Sequence, residues 1–232
     1  MASGCTLSFN FTTRSSATAR PMTIRQAIIA GWTGRDVAAM EKHMKELEEI
    51  GVARPATTPI YYRVGATRIT TADSIQAAGG DSSGEIEFVV AKFDGKLWVG
   101  AGSDHTDRKV ETYNITVSKQ MCDKPVADTL WPWEEVAGHW DDLILRAHAV
   151  IGGKRELYQE GKVAAMRPPL ELIEGYKRSQ GSFDDGSIMF GGTLAAKGGI
   201  RPAERFEFEL VDEKLGRRIA HGYNIEPLPV MG

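Results

Sequence analysis

The chain has 232 residues, of which 42% are hydrophobic and 25% charged, and its formal net charge is −3. This length can bury a sizeable core and favours a single domain over residues 1–232. The weakly acidic balance, without a basic stripe that carries interleaved aromatic residues, argues against a nucleic-acid partner, and no apolar run is long enough to cross a bilayer. Two cysteines, Cys5 and Cys122, are too few for a disulfide framework and suit a reducing compartment.

The N-terminal 50 residues are expected to hold a strand and helices. Residues 1–35 contain arginines but no acidic residue, a composition that resembles an organellar transit peptide. Residues 7–11 nevertheless alternate apolar and polar side chains as a half-buried strand does. We therefore expect a structural strand and a cytoplasmic protein, with organellar import left open. A short helix is predicted over residues 23–29, and a stronger one over 35–50, where apolar residues recur at helical spacing.

The rest of the chain is predicted to be mostly β. Asp94-Gly95 is a hairpin dipeptide between two strands, and Pro168-Pro169 is well placed to begin a helix. Strands are predicted over residues 60–64, 85–93, 96–101, 110–117, 143–151 and 205–211, a glycine-rich strand or loop over 187–194, and helices over 134–139 and 170–177. The pattern indicates an α+β protein that is mainly β, with helices towards the N-terminus and in the second half.

An acidic cluster is the strongest functional feature. Side chains alternate along a strand, so Glu85 and Glu87 are expected on one face. If a second strand brings Asp104 alongside, the three carboxylates offer an all-oxygen site for a hard divalent cation such as Mg²⁺ or Mn²⁺. Gly100 and Gly102, just before Asp104, would let the backbone approach a ligand closely.

The competing interpretation is a solvated sheet face, which is the commonest setting for paired strand glutamates. Glu207 and Glu209 show the same alternation without a neighbouring Asp-rich turn, and we interpret them as plain surface. On the residues alone, the metal site and the solvated face both stay open for Glu85 and Glu87.

Other candidates for chemistry are weaker. His43 and Glu46 would share one face of the helix over 35–50, and a histidine backed by a carboxylate can act as a general base, although charged neighbours favour a surface histidine. Cys122 could be a nucleophile, but a buried inert thiol is the commoner case. His105 could join a zinc site, although one histidine among carboxylates suits Mg²⁺ or Mn²⁺ better. Phosphate-loop, nucleophile-elbow and dinucleotide-binding fingerprints are all missing from the sequence.

The order of these motifs resembles the fumarylacetoacetate hydrolase superfamily, and within it the branch known as DUF2848. An H-x-x-E helix precedes an aromatic-x-basic strand, then E-x-E, then Ser-Asp-His-Thr-Asp-Arg at 103–108, a lysine, and a late glycine–threonine pair. The resemblance covers about residues 35–216, although 131–183 carry no matching motif. It implies a mixed β-sandwich roll with flanking helices, assembled as a homodimer.

The resemblance also implies roles for individual residues. These are Glu85, Glu87 and Asp104 as metal ligands, Lys119 at the substrate oxyanion, Arg63, Arg108 and Thr193 in substrate binding, and His43 with Glu46 as a water-activating dyad on a lid helix. Ser103 stands where the family has asparagine, and Tyr61-Tyr62-Arg63 where it has Phe-x-Lys, which leaves the role of Arg63 open.

The function that follows from the resemblance is Mg²⁺- or Mn²⁺-dependent turnover of a small 2-oxo or dioxo carboxylic acid. Hydrolytic C–C cleavage through a metal-stabilised enolate is the main hypothesis. A hydratase, decarboxylase or tautomerase with the same metal site stays open, as do an inactive metal-binding member and a thiol enzyme that uses Cys122. The expected partner is a small anionic oxo acid, with neither nucleic acid nor membrane, and residues 131–183 are expected to set substrate specificity.

Overall fold

A computed structural model describes residues 4–38, 40–41, 44–45, 55 and 57–231. Strands dominate this part of the chain: β1 (Cys5–Thr12), β2 (Ala17–Ile24), β3 (Gln26–Gly31), β4 (Ile60–Val64), β5 (Ile69–Thr70), β6 (Ser74–Ala78), β7 (Ser82–Ser83), β8 (Ile86–Phe93), β9 (Lys96–Ser103), β10 (Thr106–Asp107), β11 (Lys124–Pro125), β12 (Thr129–Pro132), β13 (Ile144–Ile151), β14 (Lys154–Lys162), β15 (Ser187–Thr193), β16 (Arg205–Asp212) and β17 (Arg217–Leu228). The α-helices are Arg108–Glu111, Ile115–Gln120, Trp133–Val136 and Pro169–Ser179, and the 3₁₀-helices are Ala66–Arg68, Ala137–Asp142 and Val163–Ala165. The predicted α+β, mainly β class is confirmed.

The central sheet has eight strands in the order β2-β1-β12-β9-β8-β15-β3-β4. Its middle is the antiparallel hairpin of β8 and β9, which turns at Asp94 and Gly95 with φ of 52° and 71°. Two successive positive φ values match the twist of paired strands, so the predicted hairpin is confirmed. β15 runs antiparallel to β8 and parallel to β3, which places the end of β15 beside the start of β8.

A second sheet, in the order β14-β13-β16-β17-β6, packs over β8 and β9. The layer between the two sheets buries Phe88, Leu145 and Phe206 completely. On its other face the central sheet buries a separate apolar cluster that includes Phe9 and Phe190. Because both faces are covered, the middle strands read as apolar runs rather than alternating ones.

Two of the predicted elements are wrong. Residues 23–24 end β2 and residues 26–29 lie in β3, whose apolar run is a buried strand between β15 and β4. Residues 110–117 form parts of two short helices instead of a strand. The side chains of Asp107 and Asn114 accept hydrogen bonds from the backbone of Val110 (2.8 Å) and Val117 (2.9 Å), and this capping starts a helix despite the β-branched residues.

Most other predicted elements agree with the structure. The strands predicted over residues 7–11, 60–64, 143–151 and 205–211 correspond to β1, β4, β13 and β16, and the proline-initiated helix runs over Pro169–Ser179. Residues 37, 38, 40, 41, 44 and 45 are helical, as predicted for 35–50, and the remainder of that prediction falls largely outside the described residues. Within the described ranges, no helix is long and apolar enough to cross a membrane.

Candidate active site

The three acidic residues converge at the open end of the β8–β9 hairpin. Glu85 immediately precedes β8, Glu87 lies within it, and Asp104 directly follows β9. The hairpin register pairs Glu87 with Gly102, and the backbone N–H of Asp104 donates to Glu85 O at 3.0 Å. One carboxylate oxygen from each residue lies within 4.8 Å of the other two. The predicted acidic triad therefore exists as a spatial cluster, with Glu87 and Asp104 buried and Glu85 half-buried.

Three cationic side chains surround these carboxylates. Lys119 Nζ lies 2.5 Å from Asp104 Oδ2, and Lys124 Nζ lies 3.2 Å from Asp104 Oδ1. Arg108 Nη2 lies 3.1 Å from Glu85 Oε1, while its Nη1 also pairs with Glu111. Lys119 and Arg108 were predicted for the site, but Lys124 was not, since nothing in its sequence neighbourhood distinguishes it from a surface lysine.

Burial and neighbouring charges shift the pKa values of the clustered residues in different directions. Burial raises the pKa of Glu85, and burial together with the charge of Asp104 holds the pKa of Glu87 well above its usual range. Burial also disfavours the charged form of Asp104, but Lys119 and Lys124 outweigh it and lower the pKa of Asp104 to about 2. Burial opposes the charge on Lys119, yet Asp104 and Glu85 raise its pKa, so this lysine stays protonated at neutral pH and is a hydrogen-bond donor, not a base.

The donor set fits a hard divalent cation. All three candidate ligands are carboxylates, which suit Mg²⁺ or Mn²⁺. Asp104 Oδ1 is buried and accepts no hydrogen bond of good geometry, and the Lys124 ammonium 3.2 Å away balances its charge. Glu87 is held in place through Oε2, which accepts from the backbone N–H of Gly192 at 2.6 Å.

His105 does not belong to this set. Its Nδ1 lies 3.0 Å from Tyr223 Oη and its Nε2 lies 2.8 Å from Ser82 Oγ, so both ring nitrogens already have partners. Burial and the charge of Lys124 lower the pKa of His105 to about 3, which keeps the imidazole neutral. The zinc interpretation of His105 is therefore wrong as a description of this cluster.

A cavity of about 740 Å³ opens onto the triad. All three carboxylates line it, together with Arg108, Lys119 and Thr193. The Thr193 hydroxyl donates to Ile86 O at 2.7 Å and accepts from Gln159 Nε2 at 2.8 Å. Gln159 also lines the cavity, and sequence reasoning missed it because it lies in the segment without a recognisable motif.

Other sequence candidates lie elsewhere. The cavity-lining residues that the structure describes include Tyr62 but not Arg63, whose exposed side chain donates to Tyr176 Oη at 3.0 Å. The expected substrate contact of Arg63 therefore has no support in this geometry. Cys122 is buried away from the cavity lining, and burial raises the pKa of its thiol, as expected for an inert cysteine. His43 and Glu46 lie outside the described residues.

The pair Glu207 and Glu209 behaves as the interpretation of a plain sheet surface requires. Glu207 pairs with Arg155 of β14 at 2.8 Å and Glu209 pairs with Arg146 of β13 at 2.6 Å, and all three strands belong to the second sheet. Neither glutamate belongs to the acidic cluster or to the cavity lining. The same E-x-E pattern thus lies at the cavity, at the start of β8, and beside arginines of the second sheet in β16.

The fold is that of fumarylacetoacetate hydrolase family proteins. A protein from Burkholderia cenocepacia assigned as a fumarylpyruvate hydrolase has a TM-score of 0.62 at 20% identity, with 96% of this chain and 95% of that chain covered. A fumarylacetoacetate hydrolase family protein of yeast has a TM-score of 0.62 at 19% identity, with 90% and 95% covered. A 2-keto-3-deoxyarabinonate dehydratase has a TM-score of 0.62 at 15% identity, with 92% and 77% covered.

Residues 30–223 match the family described as a protein of unknown function (DUF2848), and the chain belongs to that family. A comparison with curated proteins finds no match. The resemblance inferred from the order of the motifs is therefore confirmed.

Proposed function

We propose that this protein is a divalent-metal-dependent enzyme that acts on a small 2-oxo or dioxo carboxylic acid, with hydrolytic C–C cleavage as its reaction. The observation that carries the proposal is the convergence of Glu85, Glu87 and Asp104 in the lining of a cavity that Arg108 and Lys119 also line. The names of two structural neighbours, a fumarylpyruvate hydrolase and a 2-keto-3-deoxyarabinonate dehydratase, support the same substrate class.

The charge of the site favours an anionic substrate. Lys119, Lys124 and Arg108 balance the three carboxylates of the cluster. A divalent ion, Mg²⁺ or Mn²⁺, would therefore make the site positive overall, even with Glu111 paired to Arg108. A positive, buried site complements the carboxylate and carbonyl oxygens of an oxo acid.

Residues of this chain would stabilise the developing charge, orient the substrate and activate water. When bound, the divalent ion would supply Lewis acidity to a substrate oxygen. Lys119, held protonated by Asp104 and Glu85, would donate to the oxygen on which negative charge develops, and Arg108 would orient a carboxylate with its planar fork. His43 with Glu46 stays the proposed base for water, on the strength of the family resemblance.

A metal titration with matched variants tests the site. Mn²⁺ binding is measured by isothermal titration for wild type, Glu87→Gln and the control Glu207→Gln, which makes the same change in the E-x-E pair of β16. We expect Glu87→Gln to weaken Mn²⁺ binding by more than about 100-fold, because loss of a residue that merely supports a ligand costs up to about that factor. Glu207→Gln should leave Mn²⁺ binding unchanged. Equal binding by all three proteins would contradict the proposed metal ligands.

The reaction is tested by following acylpyruvates and oxaloacetate by proton NMR in D₂O with Mg²⁺ present. Release of two carboxylic acids indicates hydrolytic cleavage, whereas water addition, CO₂ loss or solvent exchange alone indicates a hydratase, decarboxylase or tautomerase. A complete lack of exchange and turnover would favour an inactive metal-binding member. Unchanged cleavage by His43→Ala would rule out the dyad.

A further inference from the structure

The cavity is large for a small oxo acid and is divided by polarity. Its volume of about 740 Å³ lies within the range of about 300–1,000 Å³ that holds ligands of drug size. The charged residues described above occupy one part of its lining. The rest of the lining is mainly apolar: it contains the charged residue Asp36 but also Ile29, Trp32, Met40, Tyr62, Ile115 and Leu194.

The apolar wall begins directly beside the charged end. Lys119 Nζ lies 5.9 Å from the centre of the Tyr62 ring. Tyr62 pairs with Ile29 across β4 and β3, so the two residues form one continuous wall. Gly31 leaves room for this ring, because a Cβ added there would lie 3.0 Å from a Tyr62 ring carbon. A ligand bound at the triad would therefore continue onto an apolar surface.

Trp32 is held in an unusual backbone conformation at this wall. Its φ is 57°, in the left-handed region that side chains with a Cβ rarely adopt. Asp94 shares a positive φ, but the hairpin turn requires it there, whereas Trp32 follows β3 and lines the cavity. Its neighbour Thr33 is fixed by a 2.8 Å hydrogen bond from Arg167 N to Thr33 O. Such conformations persist where the surrounding structure enforces them, and they concentrate at ligand sites.

We propose that the natural substrate carries an extended apolar group, aliphatic or aromatic, which lies against Trp32, Tyr62 and Met40 while its oxo-acid head lies at the triad. This inference rests on the proposed function for the head group. It adds that specificity is set by Trp32, Met40 and Tyr62 as well as by the segment 131–183 that carries no motif.

A homologous series of acylpyruvates tests the inference. We compare acetyl-, butanoyl- and hexanoylpyruvate with the Mg²⁺-loaded protein and measure kcat/KM for cleavage, together with binding of each compound by isothermal titration. We expect kcat/KM or affinity to rise about four-fold for each buried methylene. Values that stay flat or fall with chain length overturn the inference. If affinity rises with length but nothing is turned over, the proposed reaction fails and the apolar site stands.

Variants test whether the apolar lining of the cavity causes the dependence on acyl chain length. Trp32→Ala and Ile115→Ala should each lower the hexanoyl-to-acetyl ratio of kcat/KM or affinity by about ten-fold. Trp32→Phe should keep most of the ratio that Trp32→Ala loses. Leu170→Ala is the control, because Leu170 is 45% exposed on a helix outside the cavity lining. Circular dichroism confirms folding of each variant. An unchanged ratio in both alanine variants would overturn the assignment.

Discussion

At the scale of single residues, Gln159 connects the two sheets at the candidate site. It lies on β14 of the second sheet, yet its Oε1 accepts from Ile86 N at 3.0 Å, between Glu85 and Glu87. Its Nε2 donates to Thr193 Oγ1 and to Leu194 O. This one buried amide therefore fixes the start of β8, at Glu85 and Glu87, and the end of β15 together.

Replacing Gln159 should destabilise the fold and the site at once. Gln159→Leu leaves buried polar groups without partners, at about 1–3 kcal/mol for each such group, so we expect a clear fall in the free energy of unfolding measured in urea. Weaker Mn²⁺ binding should accompany it. The control is Gln76→Leu, at an exposed position. If the two variants unfold alike and bind Mn²⁺ alike, Gln159 has no positioning role.

At the scale of elements, the sequence predicted correctly those strands and turns that depend on residues close together in the chain. The β8–β9 hairpin follows from two apolar β-forming runs joined by a turn dipeptide, and it brings Glu85, Glu87 and Asp104 together. The region after Asp107 was predicted wrongly as a strand because Val110, Ile115 and Val117 favour β structure, whereas the caps at Asp107 and Asn114 decide for helix. Side-chain capping is a specific geometry that composition does not reveal.

The Asn114 cap should therefore contribute to the position of Lys119, which lies on the helix that Asn114 begins. Asn114→Ala removes the acceptor for Val117 N, and we expect a loss of about 1 kcal/mol in the free energy of unfolding, measured in urea. Asn114→Asp is the matched variant, since aspartate caps equally well and its charge favours a helix N-terminus. Equal losses in both variants would show that the cap is not the cause.

At the scale of the whole molecule, the candidate site combines parts of the chain that only the fold brings together. The order of motifs along the chain identified the acidic triad, Arg108 and Lys119. Lys124 and Gln159 were not predicted, and neither was the hydrogen bond from Gly192 N to Glu87, because these contacts join residues distant in sequence. The strands β14 and β17 were likewise not predicted, and both belong to the second sheet that encloses the core.

The pH dependence of the free energy of unfolding should reveal the contribution of one buried carboxylate in that second sheet. Asp212, at the end of β16, is buried and accepts hydrogen bonds from His139 Nε2 at 2.9 Å, Leu215 N at 3.1 Å and Arg217 Nε at 3.2 Å. Burial alone would raise the pKa of Asp212, but the bonds from His139, Leu215 and Arg217 outweigh it and lower the pKa below its usual value.

Because the folded-state pKa is lowered, the stabilisation by Asp212 is complete above its unfolded pKa of about 3.9 and is lost as the pH falls through the folded value. We expect Asp212→Asn to be less stable than wild type by about 1–3 kcal/mol near neutral pH, measured by urea unfolding. The gap should narrow below about pH 4, since wild type then loses the same interaction. The control is Asp142→Asn, because Asp142 pairs with Lys162 at an exposed position where ion pairs contribute little. The role would be contradicted if the difference in free energy of unfolding between wild type and Asp212→Asn stayed constant from neutral to acid pH. The ionised carboxylate would then stabilise the fold no more than the protonated one.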